Sequence, residues 1–203
     1  IAFFQGDPLS QARLTNLYQE NSKWPLLVAI DGESGLGFRL KNTISYPPQM
    51  ALGAISDESL IFRMGQDIGS QMKRLGVQLN FAPVADVNNN PANPVINSRS
   101  FGEIRENVAR KGFLYMKGMQ DEGIMAVAKH FPGHGDTDID SHLDLPVIKH
   151  SRTRLDSIEL FPFKALIQGG VGGVMTAHLQ IPAYDTSQNL PATLSAYVCD
   201  TLL

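Results

Sequence analysis

The 203-residue sequence has a single cysteine, no strong charge imbalance and no long apolar run. Cys199 is the single cysteine, which excludes an internal disulfide framework and any cysteine-rich zinc site. Lysine and arginine number 17 against 20 for aspartate and glutamate, so a net charge of -3 gives no electrostatic basis for binding nucleic acid or an anionic membrane. No stretch approaches the roughly 18 consecutive apolar residues of a membrane span. We therefore expect neither a nucleic-acid partner nor a membrane span.

Strand-like apolar runs alternate with amphipathic helix-like segments, and 43% of the residues are hydrophobic. Strands are predicted at residues 1–4, 26–31, 77–84, 124–130 and 173–178. Helices are predicted at about 9–20, 56–75, 106–122, 156–168 and 195–203. In the second of these helices Ser56 is the expected N-cap, Ile61 and Met64 begin an apolar face with helical spacing, and Gly76 can end the helix.

Polar side chains follow four of the predicted strands where each one ends. These residues are Asp31, Asp86, Lys129 with His130, and His178. Strict alternation of β and α elements implies a parallel sheet, whose strands end at a common edge. A (β/α)8 barrel gathers its reactive side chains at that edge, and an open doubly wound sheet also binds ligands there. The strand ends alone therefore do not choose between the two folds.

The number of strands indicates an incomplete barrel. Five strands are visible, whereas a complete (β/α)8 barrel of the TIM type typically needs about 250 residues. The chain opens within one strand-like run and stops on Thr-Leu-Leu in a helix-like run. We therefore expect an α/β fold in which residues 1–203 form about the first five βα units of a single barrel, with the remainder after Leu203.

Ionisable side chains are concentrated in the segment KHFPGHGDTDIDSH, residues 129–142. Its glycines and proline predict an irregular loop, and such loops often carry catalytic residues. One interpretation is a metal site formed by His130, His134, His142 and the aspartates, although the spacing matches no standard zinc signature. Another pairs Asp140 with His142, so that the carboxylate tunes the imidazole for acid/base catalysis. A third is a loop held together by its own Asx turns.

This segment resembles the family 3 glycoside hydrolases, and specifically their bacterial β-N-acetylhexosaminidase branch. The pattern K-H-F-P-G-H-G-x-T-x-x-D-S-H is highly specific to that branch, because the family's β-glucosidases lack the Asp-Ser-His end. Two further blocks agree. IDGESGLGFR at 30–39 is similar to the family's D-x-E-x-G-x-x-x-R stretch, and NFAPVADVNNNPANPVINSRSFG at 80–102 to its third-strand block. The resemblance covers nearly the whole chain and implies an N-terminal catalytic domain with a TIM-type barrel.

The resemblance implies roles for seven residues. His142 matches the catalytic acid/base, where most retaining glycosidases use a carboxylic acid, and Asp140 matches the partner that orients and polarises it. The substrate-binding positions are Asp31, Arg39, Arg99, Lys129 and His130. For Arg39 a plain surface role is the alternative. We expect His134 and Asp136 to hold the loop, and we assign no role to His178.

The nucleophile is the one expected feature that the sequence does not contain. In the family it is an aspartate at the end of the sixth strand, and neither Asp185 nor Asp200 lies in a matching block. We therefore expect the nucleophile after Leu203. The parent enzyme should be a retaining hydrolase that removes terminal β-linked N-acetylglucosamine from glycans or peptidoglycan fragments, and the chain alone should be inactive.

Other functions stay open at this point. A catalytically incomplete sugar-binding fragment would keep the binding residues but would not need the Asp140–His142 pair. A β-glucosidase-type hydrolase, a metal-dependent hydrolase and a bare structural fragment are further alternatives. We expect a carbohydrate substrate, no cofactor and no metal, with an additional domain possible downstream of the barrel. The compartment is not readable, and a bacterial cytoplasm or periplasm both fit.

Overall fold

The computed structural model describes residues 1–138 and 145–203. In chain order its strands and α-helices are β1 (Ala2–Phe3), α1 (Pro8–Glu20), β2 (Ala29–Ile30), α2 (Gln49–Gly53), α3 (Ser59–Arg74), β3 (Leu79–Asn80), α4 (Arg105–Asp121), β4 (Met125–Phe131), α5 (Arg152–Ser157), α6 (Leu160–Gln168) and β5 (Gly173–Thr176). Short 3₁₀ turns lie at Leu36–Phe38, Asn97–Arg99 and Ala192–Leu194, and a π-helix lies at Tyr197–Leu202. Across these described ranges, no helix has the length and apolarity that a bilayer crossing requires.

The five strands form one parallel sheet in the order β1-β2-β3-β4-β5. Ala29 of β2 pairs with Leu79 of β3, and Val127 of β4 pairs with Gly173 of β5. A doubly wound sheet reverses its strand order at a switch point, whereas here every strand pairs with the next one in sequence. This order is that of part of a (β/α)8 barrel wall, and it confirms the predicted parallel α/β fold.

The third strand is shorter than the predicted 77–84. It ends at Asn80, because the Ala82 N–H donates back to the Asn80 carbonyl oxygen at 2.8 Å and Pro83 has no N–H to donate to a ladder. Pairing with the next strand resumes at Val84, which forms an isolated bridge with Lys129. After this interruption the chain continues to Asp86, at the carboxyl edge of the sheet.

Helices α3 and α4 pack against each other at a pair of glycines. The buried face of α3 carries Ile61 and Met64, as the apolar spacing predicted. A Cβ added at Gly118 would lie 2.3 Å from the carbonyl oxygen of Phe62, and one at Gly65 would lie 2.6 Å from that of Tyr115. Only glycine permits this approach of the two backbones.

Two predicted helices have wrong boundaries, and a third is of another helix type. The helix predicted from Ser56 begins at Ser59, because the carboxylate of Asp57 accepts the Ser59 N–H at 3.1 Å and starts the turn there instead. The helix predicted over 156–168 is two helices, α5 and α6, and Pro162 lies in the first turn of α6, where its missing N–H costs no helical hydrogen bond. The helix predicted over 195–203 is present as the π-helix at Tyr197–Leu202.

Candidate functional site

A cavity of about 530 Å³ opens at the carboxyl ends of the strands. Because parallel strands end at one edge of the sheet, the segments that follow them meet there. All five predicted substrate-binding residues line the cavity: Asp31, Arg39, Arg99, Lys129 and His130. Glu33, His134 and His178 line it as well. The structure therefore brings together side chains that are far apart in sequence.

Lys129 is the central cation of the cavity and is only 2% exposed. Its Nζ lies 2.5 Å from Asp31 Oδ1 and 2.6 Å from Glu33 Oε1. A buried ammonium group needs such partners to offset the loss of hydration. The pairing of β4 with β5 shifts register between Lys129 and Phe131, and a bulge of this kind lets the successive residues Lys129 and His130 face the same cavity.

Glu33 joins Lys129 to Arg99. Two nitrogens of Arg99 donate to the Glu33 carboxylate, Nε to Oε2 at 3.0 Å and Nη2 to Oε1 at 2.6 Å. Burial alone would raise the pKa of Glu33, but the hydrogen bond and charge of Arg99 together with the charge of Lys129 outweigh it and lower the pKa to about 2. Glu33 is therefore a fixed anion in the wall of the cavity.

Arg39 lies at the rim, where its guanidinium forms an ion pair with the Asp31 carboxylate. Its Nε also donates to the Asp31 carbonyl oxygen at 3.0 Å. The guanidinium carbon lies 5.2 Å from the ring centre of Phe4 and 4.6 Å from that of Phe38, within the range of cation–π contacts. These contacts on three sides favour a site role over a plain surface role for Arg39.

The ion pairs make one continuous row of alternating charges across the floor and rim of the cavity. In order, the row is Arg39, Asp31, Lys129, Glu33 and Arg99. Each interior member contacts an opposite charge on both sides. The row can accept hydrogen bonds from hydroxyl groups through its carboxylates and donate them through its cations.

Asp86 lies beneath the row and is completely buried. Its carboxylate is 2.7 Å from His130 Nδ1 and accepts the backbone N–H of His134 at 2.7 Å. Burial opposes ionisation, but the hydrogen bonds from His130 and from the His134 backbone N–H hold the pKa of Asp86 below its usual value. Asp86 therefore connects the segment after β3 to His130 in the cavity and to the loop that follows β4.

The loop after β4 is held by its own polar side chains and by the segment after β3. The ring of His134 is buried and its Nδ1 lies 2.7 Å from Thr137 Oγ1, while Asn93 Nδ2 donates to the His134 carbonyl oxygen at 2.8 Å. Burial lowers the pKa of His134. Asp136 instead points away to His150, whose Nε2 is 2.6 Å from Asp136 Oδ2. These contacts agree with the prediction that His134 and Asp136 hold the loop in place.

The predicted acid/base pair, Asp140 and His142, lies outside the described residues, and both assignments stay predictions. His178 follows β5 at the cavity, where its Nδ1 lies 3.0 Å from Thr193 Oγ1. Its position agrees with the strand-end pattern of the sequence.

One group of three side chains in the described ranges could hold a metal ion: Asp136, His150 and Glu159, whose ligand atoms lie within 4.8 Å of one another. Arg154 Nη2 already contacts this group, at 3.4 Å from Asp136 and 3.1 Å from Glu159. The guanidinium supplies the positive charge that a metal ion would bring. Of the residues in the metal hypothesis, His130 and His134 point their Nδ1 atoms at different partners, Asp86 and Thr137.

Sequence reasoning missed Glu33 and Asp86 as site residues. Glu33 is the glutamate of the D-x-E-x-G-x-x-x-R stretch, two residues after Asp31, so the motif itself contained the signal. Asp86 was recognised as a strand-end residue, but no pattern of residue types reveals that a carboxylate accepts two backbone N–H groups.

Comparison with known proteins places the chain in a family. Residues 5–203 match the profile described as "Glycosyl hydrolase family 3 N terminal domain". The chain is 37% identical over 210 residues to the Beta-hexosaminidase A of Pseudoalteromonas piscicida, an alignment that covers 96% of the chain and 35% of that protein.

Solved structures give the same result. A family 3 β-N-acetylglucosaminidase from Paenibacillus sp. superimposes with a TM-score of 0.91 at 45% identity, covering 100% of this chain and 40% of that one. NagZ from Neisseria gonorrhoeae, solved with N-trifluoroacetyl-D-glucosamine, superimposes with a TM-score of 0.88 at 30% identity, covering 98% of this chain and 61% of that one. The chain spans less than two thirds of the length of each of these relatives. With the family profile matched over nearly its whole length, the chain belongs to glycosyl hydrolase family 3, within the N-terminal domain of that family.

Proposed function

We propose that the protein hydrolyses terminal β-linked N-acetylglucosamine, with peptidoglycan fragments among its substrates, by a retaining mechanism. The observation that carries the proposal is the cavity itself, into which strand ends far apart in sequence bring two carboxylates and three cations. The relatives named as β-hexosaminidase and β-N-acetylglucosaminidase support the choice of sugar.

Sugar binding would use the alternating charges of the row. Asp31 is 14% exposed in its side chain, so part of its carboxylate faces the cavity and can accept hydrogen bonds from sugar hydroxyls. The side chains of Arg39 and Arg99 are 27% and 29% exposed and can donate to hydroxyl or acyl oxygens. Lys129, held between Asp31 and Glu33, would donate from the floor.

The acid/base step is assigned to His142 with Asp140. In this proposal His142 protonates the leaving oxygen as the glycosidic bond breaks, and then removes a proton from the water that hydrolyses the glycosyl-enzyme. Support comes from the branch-specific loop pattern and from His134, which lies in that loop and lines the cavity.

The nucleophile is proposed to come from a segment after Leu203. Asp31 and Glu33, the carboxylates that line the cavity among the described residues, are each paired with two cations, and such pairing lowers nucleophilicity. An aspartate from the sixth strand of the barrel would supply the missing group and form the covalent intermediate. The part of each relative that this chain does not span is long enough to contain it.

The decisive test compares turnover of a chromogenic β-N-acetylglucosaminide by three proteins. They are residues 1–203 alone, a longer protein extended through the sixth strand, and the longer protein with His142→Ala. We expect turnover only by the longer wild-type protein, because loss of one catalytic group commonly costs several orders of magnitude in rate. Proton NMR of the first product should show the β-anomer. Rapid turnover by residues 1–203 would show that the nucleophile is misassigned, and full activity of the His142→Ala protein would remove the acid/base assignment.

A sugar-binding role without turnover is the second candidate for residues 1–203 alone, because the described residues contain the binding groups of the cavity. Calorimetric titration with N-acetylglucosamine tests this role directly. Binding by residues 1–203 with no turnover by the longer protein would favour it over hydrolysis.

A further inference from the structure

Asp86 is a buried carboxylate that the proposed mechanism does not use. It is 0% exposed, and its oxygens accept the backbone N–H of His130 at 3.2–3.3 Å and that of His134 at 2.7 Å. Its Oδ2 also lies 2.7 Å from His130 Nδ1. A carboxylate surrounded by donors stays ionised and accepts hydrogen bonds only.

The other nitrogen of the same ring faces a donor as well. His130 Nε2 lies 3.3 Å from Arg99 Nη2, and a guanidinium has no acceptor. A proton on Nε2 would point at an N–H of Arg99, so the geometry favours a lone pair there. Asp86, an acceptor at Nδ1, and Arg99, a donor at Nε2, therefore select the same state of the imidazole.

We propose that Asp86 is a positioning residue that holds His130 as the neutral tautomer with the proton on Nδ1, which leaves Nε2 as a hydrogen-bond acceptor in the cavity. A sugar hydroxyl that meets Nε2 of His130 must then donate its hydrogen bond and share or take the place of the Arg99 N–H, because that nitrogen has a single lone pair. This consequence rests on the proposed function, whereas the tautomer itself does not. Asp86 also fixes the direction of the loop through the His134 N–H, so one side chain orients a binding residue and anchors the loop.

The tautomer is measured by NMR on protein labelled with ¹⁵N-histidine. A protonated ring nitrogen resonates well upfield of an unprotonated one, and long-range proton–nitrogen correlations identify which nitrogen is which. The His130→Gln protein assigns the signals among the five histidines of the chain. We expect the protonated nitrogen of His130 to be Nδ1. A proton on Nε2 in the wild-type protein would overturn the proposal without any variant being needed.

Asp86→Asn tests the cause, since it keeps the size of the side chain but can present an amide donor to the ring. We expect the proton of His130 to move to Nε2, wholly or in part. The matched control is Asp136→Asn, which alters the other carboxylate–histidine pair, at His150, and should leave the His130 signals unchanged. An unchanged tautomer in folded Asp86→Asn would contradict the role of Asp86.

Turnover provides the second readout. In the longer protein, Asp86→Asn should lower kcat/KM about 100-fold, the order expected when a binding group is misplaced. A shifted tautomer with full activity would sink the positioning role and leave the proposed hydrolysis standing. If the wild-type longer protein is inactive, the proposed function fails while the NMR result still decides the tautomer.

Discussion

Lys129 and Glu33 form an ion pair at 2.6 Å in which the side chains are only 2% and 5% exposed. Removing one member of such a pair is costly because it leaves the other as an uncompensated buried charge. The role of each charge in the row can therefore be tested by measuring the stability of a variant as well as its affinity for the proposed sugar.

Replacing Glu33 by glutamine should change the pH dependence of folding stability. The pKa of Glu33 falls from its usual 4.5 to about 2 in the folded protein, so its ionised form stabilises the fold above pH 4.5 and this contribution is lost as the pH falls toward 2. Urea unfolding at pH 7 and pH 3 measures the effect. The difference in free energy of unfolding between wild type and Glu33→Gln should be smaller by about 2 kcal/mol at pH 3 than at pH 7. Glu20→Gln, at an exposed carboxylate, is the control, and parallel curves for wild type and Glu33→Gln would contradict the assignment.

Two buried lysines allow a matched test of sugar binding. Lys129 and Lys111 are both 2% exposed, but Lys111 donates to backbone carbonyls, at 3.2 Å to Leu52 and 2.8 Å to Ile55, and does not line the cavity. Lys129→Met should weaken N-acetylglucosamine binding by roughly 10- to 150-fold in calorimetry, since a charged hydrogen bond contributes about 1.5–3 kcal/mol. Lys111→Met should lower stability and leave the affinity unchanged. Equal affinities for the wild type and the Lys129 variant would remove Lys129 from the site.

Metal removal should leave the proposed hydrolysis by the longer protein unchanged. Arg154 already contacts Asp136 and Glu159, so a cation at that group would meet a positive charge. Elemental analysis after purification, and turnover before and after dialysis against a chelator, check this expectation. Stoichiometric zinc whose removal abolishes activity would revive the metal-dependent alternative.

Two glycines of α4 should respond in opposite directions to replacement by alanine. A Cβ at Gly118 meets the Phe62 carbonyl oxygen at 2.3 Å, whereas a Cβ at Gly112 meets only ordinary contacts, the nearest at 3.5 Å from Leu166. Gly118→Ala should destabilise the protein by about 1–3 kcal/mol through overpacking. Gly112→Ala should stabilise it by about 0.5–1 kcal/mol through helix propensity. Thermal unfolding compares the two, and a neutral Gly118→Ala would show that the helices can separate at little cost.

The sheet was predictable because its signals are local. The apolar runs that end in Asp31 and Lys129 are legible in the sequence, and the parallel order follows from βα alternation. Helix starts were less predictable, because Ser56 and Asp57 are both good turn-forming residues and only the structure shows that it is Asp57 that accepts the Ser59 N–H.

The candidate site was predictable where the family motifs have specific side chains, and not beyond that. Lys129 and His130 were expected at the cavity, and both line it. Asp86 was not predicted as a site residue, because its partners include backbone N–H groups, which every residue except proline carries. Asp140 and His142 stay predictions from the sequence.

The alternating charges from Arg39 to Arg99 also bear on how the site can change over generations. A residue that contacts two opposite charges cannot be replaced without leaving both neighbours in need of new partners, so we expect an isolated substitution at Asp31, Lys129 or Glu33 to lower stability whatever its effect on the proposed sugar binding. The interior charges are therefore coupled, and we expect a change at one of them to need a compensating substitution at a neighbouring position.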